Sequence, residues 1–172
     1  FHGNQSFFAK SKITPANEDS AVTDEPLFCW QVKLFPMERR TAAAFMNEAN
    51  GFCVVLYGLR AEHFRRLDKV FLTALGQVAT RARITRQGLE EYLQMAGKPI
   101  FLPMVNRSMM GRAHYMSREL ASMERYWNWD STVQVDLSHA RNSSGTWGRS
   151  QHTPLEMMAA DLQALVHGTV IG

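Results

Sequence analysis

The chain has 172 residues, of which 45% are apolar and 20% charged, and its formal net charge is +3. A chain of this length buries enough surface to fold without disulfides or metals, and its composition is that of an ordinary globular protein. The mild positive charge allows an anionic partner without requiring one. No apolar run approaches the ~20 residues that a membrane-spanning helix needs, so the sequence predicts no membrane partner.

The first segment, residues 1–26, is mostly polar and is predicted to be a loosely ordered N-terminal arm, within which Phe7-Phe8 could form an edge strand. No linker or internal repeat divides the rest of the chain. Residues 27–172 are therefore predicted to form a single α+β domain.

Three strands are predicted after the arm. Phe28–Leu34 alternates apolar and polar residues with the period of two that strands show, and Pro36 is expected to end this strand. The strands Thr41–Asn47 and Phe52–Tyr57 flank Asn50-Gly51, a pair that tolerates the positive φ values of a tight hairpin turn. These two strands are therefore predicted to pair with each other.

Four helices are predicted from apolar residues that recur every three or four positions. Their expected starts are Ala61, Thr85, Asn106–Ser108 and Thr153. Between the last two, Thr132–Leu137 alternates again and is predicted to be a fourth strand, followed by a loop. This order of elements favours a small antiparallel sheet with about four helices on one face.

The most specific local feature is the corner Asn106–Gly111. If Asn106 or Ser108 caps the third helix, free backbone N–H groups face outward there, and Arg107 would complete an anion-binding corner. The alternative is structural, with Arg107 buried against a carboxylate such as Glu48. The predicted ligand-binding residues are Asn106, Arg107, Ser108, Gly111 and His114.

A second candidate site is an aromatic and arginine-rich group in the last third of the chain. Tryptophan interleaved with Arg can stack unpaired nucleic-acid bases, but the same residues are common in cores and at protein interfaces. The residues of this group are Trp127, Trp129, Arg141, Trp147 and Arg149.

Standard motifs of nucleotide, phosphate, serine-nucleophile and zinc sites are absent. Asp136 and His139 lie near each other, but an offset of three on a strand would point them to opposite faces. Cys29 and Cys53 stand singly in apolar stretches, which predicts buried thiols, no metal site, no cofactor and a cytoplasmic location. No signal peptide is visible, although a start at Phe1 leaves a trimmed leader open.

These observations favour a binding or accessory protein whose partner is nucleic acid or another anion. Two alternatives stay open: an enzyme of unknown reaction assembled around Asn106, Arg107 and His114, and a protein–protein interaction module. The sequence does not decide whether the chain is an enzyme, and a homo-oligomer is compatible with it.

The order of three features resembles a known family. They are a strand containing Trp30, a strand ending in Asn47-Glu48, and the corner Asn106-Arg107-Ser108-x-x-Gly111, within about residues 28–166. Together they resemble a bacterial family of small proteins, often found on plasmids and other mobile elements and classed as a domain of unknown function. The resemblance implies an architecture and a site at the corner, but no reaction and nothing about residues 1–26.

Overall fold

A computed structural model of the protein describes residues 1–17 and 25–168. The strands within these residues are β1 His2–Gly3, β2 Trp30–Met37, β3 Arg40–Asn47, β4 Cys53–Leu56 and β5 Leu102–Pro103. They form one sheet in the order β4-β3-β2-β1-β5. The three longer strands pair antiparallel, whereas β1 runs parallel to both of its neighbours. The sheet is therefore mixed, and the prediction of a purely antiparallel sheet was wrong.

The described residues also form seven α-helices rather than the predicted four. They are α1 Gln5–Ser11, α2 Ala61–Phe64, α3 Leu67–Arg81, α4 Arg86–Ala96, α5 Arg107–Ser122, α6 Val135–Ser144 and α7 Pro154–Val166. The predicted first helix is interrupted at Arg65-Arg66 and therefore corresponds to two observed helices, α2 and α3. None of the helices in the described part of the chain combines the length and apolar character needed to cross a membrane.

Helix starts were predicted well because capping chemistry is local. The side chain of Thr85 accepts a hydrogen bond from the Gly88 amide at the start of α4. Thr153 and Glu156 exchange the two hydrogen bonds of a capping box at the start of α7. These two predicted helix starts are confirmed.

The sheet is covered on both faces, which differs from the prediction of helices on one face. Along β3, Ala43 and Phe45 pack into one core with α3 and α7, while Ala44 and Met46 pack into a second core with α5. A strand buried on both faces needs apolar residues at consecutive positions rather than at alternate ones. This explains the continuous apolar stretch within β3.

Strand β2 continues through Pro36 to Met37, beyond its predicted end. β1 pairs with β2 at Gln31 and Val32, so no strand among the described residues pairs with that edge of β2 at Pro36. A proline is tolerated there because its missing N–H is not needed by a neighbouring strand.

Within the segment predicted to be a loosely ordered arm, residues His2–Gly3 form β1 and Gln5–Ser11 form α1. β1 lies between β2 and β5 in the sheet. Phe7 belongs to α1 rather than to an edge strand, and its side chain is fully buried. The arm residues 18–24 lie outside the described residues.

The predicted strand Thr132–Leu137 is instead one bridge, between Val133 and Leu56, followed by α6. Ser138 accepts a hydrogen bond from the Val55 amide, and the Asn142 side chain bonds both the N–H and the C=O of Cys53, at 2.7 and 2.9 Å. Polar side chains of α6 thus take the place of a further strand along the outer edge of β4.

Candidate functional site

The Asn106–Gly111 corner is the start of α5, as predicted. Asn106 Oδ1 accepts hydrogen bonds from the amides of Ser108 and Met109, at 2.9 and 3.3 Å. The Met110 amide bonds to the Asn106 carbonyl oxygen at 3.0 Å. The amides that the sequence suggested as anion ligands are therefore already satisfied within the helix start.

Arg107 is exposed and takes part in none of the ion pairs found among the described residues. Glu48, its suggested structural partner, instead contacts His2 and Gln31. His114 is also exposed. The corner itself therefore presents a capped helix end with an exposed Arg beside it.

A cleft of about 480 Å³ lies next to this corner, between the first half of α5 and the loop that follows α6. Its volume is in the range of small-molecule sites. We call it the arginine cleft and define it by Ser108, Gly111, Arg112, Arg141, Thr146 and Trp147, which line it. It brings together two residues of the predicted anion corner and two of the predicted aromatic and arginine-rich group.

Arg141 is the most buried charged group of the arginine cleft. Its side chain is 5% exposed, and its Nε donates to Glu119 Oε2 at 2.8 Å. The guanidinium packs so closely on Gly145 that a methyl group there would overlap it. Nη1 is buried and has no hydrogen-bond partner among the described residues. A buried donor of this kind is uncommon and calls for an acceptor.

Trp147 forms a fixed wall of the arginine cleft. Its indole packs against Gly51, which has a φ of 69° and no room for a side chain under the ring. The Arg112 guanidinium lies over the same ring, 4.7 Å from its centre. Cation–π contact holds the Arg112 charge at the cleft.

The other predicted residues do not line the arginine cleft. Trp127 is a core residue, buried with its Nε1 donating to the Leu120 carbonyl, and Trp129 stacks on it while 39% exposed. Arg149 is exposed. Each of the two predicted groups is therefore divided between the cleft and other parts of the protein.

Asp136 and His139 lie one turn apart on α6, not on opposite faces of a strand. Arg81 Nε contacts Asp136 Oδ1 at 3.2 Å. Burial, followed by the nearby Arg81 charge, lowers the pKa of His139 below its usual value, and Asp136 opposes this shift. His139 is thus an uncharged imidazole at neutral pH beside an exposed ion pair.

One further polar cluster was missed in the sequence. Donor atoms of His2, Cys29 and Glu48 lie within 4.8 Å of one another. His2 and Gln31 face each other in the β1–β2 register, and both contact Glu48 Oε1, with 2.5 Å between His2 Nδ1 and that oxygen. No sequence spacing links these segments, because the short strand β1 brings His2 to them.

An apolar cavity of about 450 Å³ adjoins this cluster and is lined by His2 and Cys29 together with Phe28, Phe71 and Tyr92. Trp30 Nε1 donates to the Tyr92 hydroxyl at 2.7 Å, and that hydroxyl donates to the Leu27 carbonyl. Burial raises the pKa of Tyr92, so it remains a neutral hydrogen-bonding group.

Comparison with curated proteins and with solved structures finds no match. A protein-family model does match the chain. The match covers residues 1–154, which include the Asn106–Gly111 corner and Arg141. The chain belongs to this family, which is described as Domain of unknown function (DUF6933).

Proposed function

We propose that the chain is a binding protein for a small phosphate-bearing ligand held in the arginine cleft. The observation that carries this proposal is Arg141, whose side chain is 5% exposed while its Nη1 has no acceptor among the described residues. A phosphate oxygen would supply that acceptor in a charge-assisted hydrogen bond, once the guanidinium turns from Gly145 toward the cleft that Arg141 lines.

The charges of the cleft also favour an anion. Arg112 and Arg141 contribute two positive charges, and Glu119 neutralises one of them through Arg141. The hydroxyl groups of Ser108 and Thr146 add donors at the rim. Two guanidinium groups and two hydroxyls suit the several oxygens of a phosphate better than the two oxygens of a carboxylate.

A nucleic-acid strand is a weaker candidate than a small ligand. Unpaired nucleic-acid strands bind proteins by stacking their bases on accessible aromatic side chains. The Trp147 ring is already contacted by Gly51 and Arg112, which limits its use as a stacking surface. The enzyme alternative gains no support from Asn106, Arg107 and His114, which are exposed outside the cleft. Protein partners and a bacterial, mobile-element origin remain predictions.

The test is calorimetric titration with inorganic phosphate of the unaltered chain, Arg112→Gln and Arg107→Gln. Arg107 is the matched control, because it is an exposed arginine on the same helix that does not line the cleft. We expect Arg112→Gln to lose at least about tenfold in phosphate affinity, equivalent to about 1.4 kcal/mol. Arg107→Gln should bind like the unaltered chain.

Acetate and generic DNA and RNA form the other arms of the titration. Acetate binding as tight as phosphate binding would assign the cleft to carboxylates. Nucleic-acid binding that weakens steeply with salt, without phosphate binding, would favour a nucleic-acid partner. Equal phosphate affinity in all three proteins would refute the arginine cleft as the site.

A further inference from the structure

We propose that His2, Cys29 and Glu48 bind a divalent cation of the zinc class where β1, the start of β2 and the end of β3 meet. The proposal is independent of the arginine cleft, with which these residues share no lining group. Sulfur, nitrogen and oxygen donors together favour Zn²⁺ over Mg²⁺ or Ca²⁺, which prefer oxygen alone.

The backbone holds the three donors in place. His2 lies in β1 opposite Gln31, Cys29 immediately precedes β2, and Glu48 immediately follows β3. Zinc–ligand bonds of about 2.0–2.3 Å in a tetrahedron separate the donor atoms by about 3.4 Å. The donor atoms already lie within 4.8 Å of one another, which is close to this spacing.

The charges of the cluster balance those of a divalent ion. A Cys29 thiolate and the Glu48 carboxylate would together neutralise Zn²⁺, with His2 as an uncharged ligand. The site is shielded from water, because Cys29 is 8% exposed and the Glu48 side chain 19%. Neutralising both anions in this setting avoids the cost of burying unpaired charge.

Gln31 supplies a second observation that points to a ligand. It is 2% exposed, and its Nε2 donates to Glu48, but its Oε1 is buried without a partner among the described residues. Oε1 is bonded to the same carbon as Nε2 and therefore lies close to the cluster. A cation or its bound water would satisfy this oxygen.

Three protein ligands leave one coordination position of a tetrahedral ion open. His2 and Cys29 also line the apolar cavity of about 450 Å³, so the open position would face that cavity. The site would then accept one donor atom from water or from a small ligand whose apolar part occupies the cavity.

A metal-free alternative uses the same residues as a cysteine nucleophile, a histidine base and an orienting carboxylate. The buried Gln31 Oε1, which has no partner among the described residues, favours the metal, because a cysteine nucleophile would leave this oxygen unsatisfied. The metal site and the nucleophile predict different effects of Zn²⁺ on the alkylation of Cys29, and this difference can be measured.

The experiment titrates the full chain, free of any histidine tag and stripped of metal, with Zn²⁺ against a chromophoric chelator. We expect one equivalent to bind, and Cys29→Ser to weaken binding by at least about 100-fold. Co²⁺ should give a thiolate charge-transfer band that Cys29→Ser abolishes. Cys53→Ala, which removes the other buried thiol, should bind Zn²⁺ like the unaltered chain.

Alkylation of the unaltered chain by iodoacetamide keeps the proposal testable if Cys29→Ser fails to fold. Bound Zn²⁺ should protect Cys29 from alkylation, because the metal occupies the thiolate. Absence of saturable Zn²⁺ binding at micromolar concentrations, or unchanged binding by folded Cys29→Ser, would overturn the proposal. Rapid alkylation of Cys29 that Zn²⁺ does not slow would overturn it in favour of the nucleophile.

Discussion

Replacement of Arg141 by Met tests the buried ion pair on which the arginine cleft depends. Methionine replaces the aliphatic part of the Arg side chain but lacks the guanidinium, so the contact of that group with Gly145 is lost together with its charge. The change removes the partner of the Glu119 carboxylate, which Arg141 Nε contacts at 2.8 Å. The free energy of unfolding should therefore decrease because one charge is left without its partner.

The size of this decrease follows from the exposure of the two side chains. Removing one member of a fully buried pair costs about 3–5 kcal/mol. The Arg141 side chain is 5% exposed and that of Glu119 30%, so water recovers part of the loss around Glu119. We therefore expect about 3 kcal/mol, at the lower end of that range, which lowers the melting temperature by roughly 6–12 °C for a chain of this size.

Urea denaturation of Arg141→Met, Glu119→Leu and the double variant measures this value. The double variant should recover most of the stability, because apolar groups that replace both partners leave no charge unpaired. Glu119→Leu leaves the deeply buried Arg141 alone, and phosphate should stabilise this variant more than the unaltered chain. A loss below about 1 kcal/mol in Arg141→Met would place the pair among exposed salt bridges and refute the reasoning.

Three further predictions concern stability. Asn142→Leu should lower the free energy of unfolding by about 2–4 kcal/mol in urea denaturation, because it leaves the buried N–H and C=O of Cys53 without their partner. Tyr92→Phe should cost about 1–2 kcal/mol in the same assay, because Trp30 Nε1 loses its acceptor; a neutral effect would mean that Trp30 finds another. Burial raises the pKa of Cys53 from 9.0 to about 12, so the unfolded chain ionises first and stability is lost as pH rises above 9.0. Urea denaturation at pH 8 and pH 10 should show a larger loss in the unaltered chain than in Cys53→Ala, in which Tyr92, whose pKa burial also raises, still contributes.

Local chemistry accounts for the parts of the fold that the sequence predicted. The Asn50-Gly51 turn between β3 and β4 is confirmed, with Gly51 at a φ of 69°. The caps at Thr85 and Thr153 depend on side chains bonding to amides a few residues away. Such signals are complete within a short window of sequence, and for that reason they can be read without the rest of the chain.

The elements that were predicted wrongly depend on distant partners. Alternation at Val133, Val135 and Leu137 resembles a strand, but the stripe Gln134, Ser138 and Asn142 recurs every four residues and fits a helix. Ser138 and Asn142 find their partners on the outer edge of β4, whereas the Gln134 side chain bonds to Asn128 and Ser131. β1 has two residues and shows no periodicity, so its place between β2 and β5 could not be read from sequence.

In the candidate site, too, the residues were predicted from local sequence, but their meeting in one cleft was not. Ser108 and Gly111 were singled out from the corner motif, whereas Arg141 was assigned to a separate aromatic and arginine-rich group. The arginine cleft joins them because α5 and the loop after α6 meet beside Met46 of β3. This meeting depends on the packing of two helices against one face of the sheet, which no single stretch of sequence encodes.

The β3–β4 turn links these observations. Its sequence indicates a tight turn, yet the turn and the strand end before it carry three buried or half-buried polar side chains. The Asn47 side chain bonds to the Leu27 carbonyl, and Glu48 contacts His2. The Asn50 side chain bonds to Asp161, and Gly51 packs against Trp147. A hairpin that needed only to reverse direction would not require four such contacts with separate segments. The residues that signal the turn therefore also position a wall of the arginine cleft and one ligand of the proposed cation site.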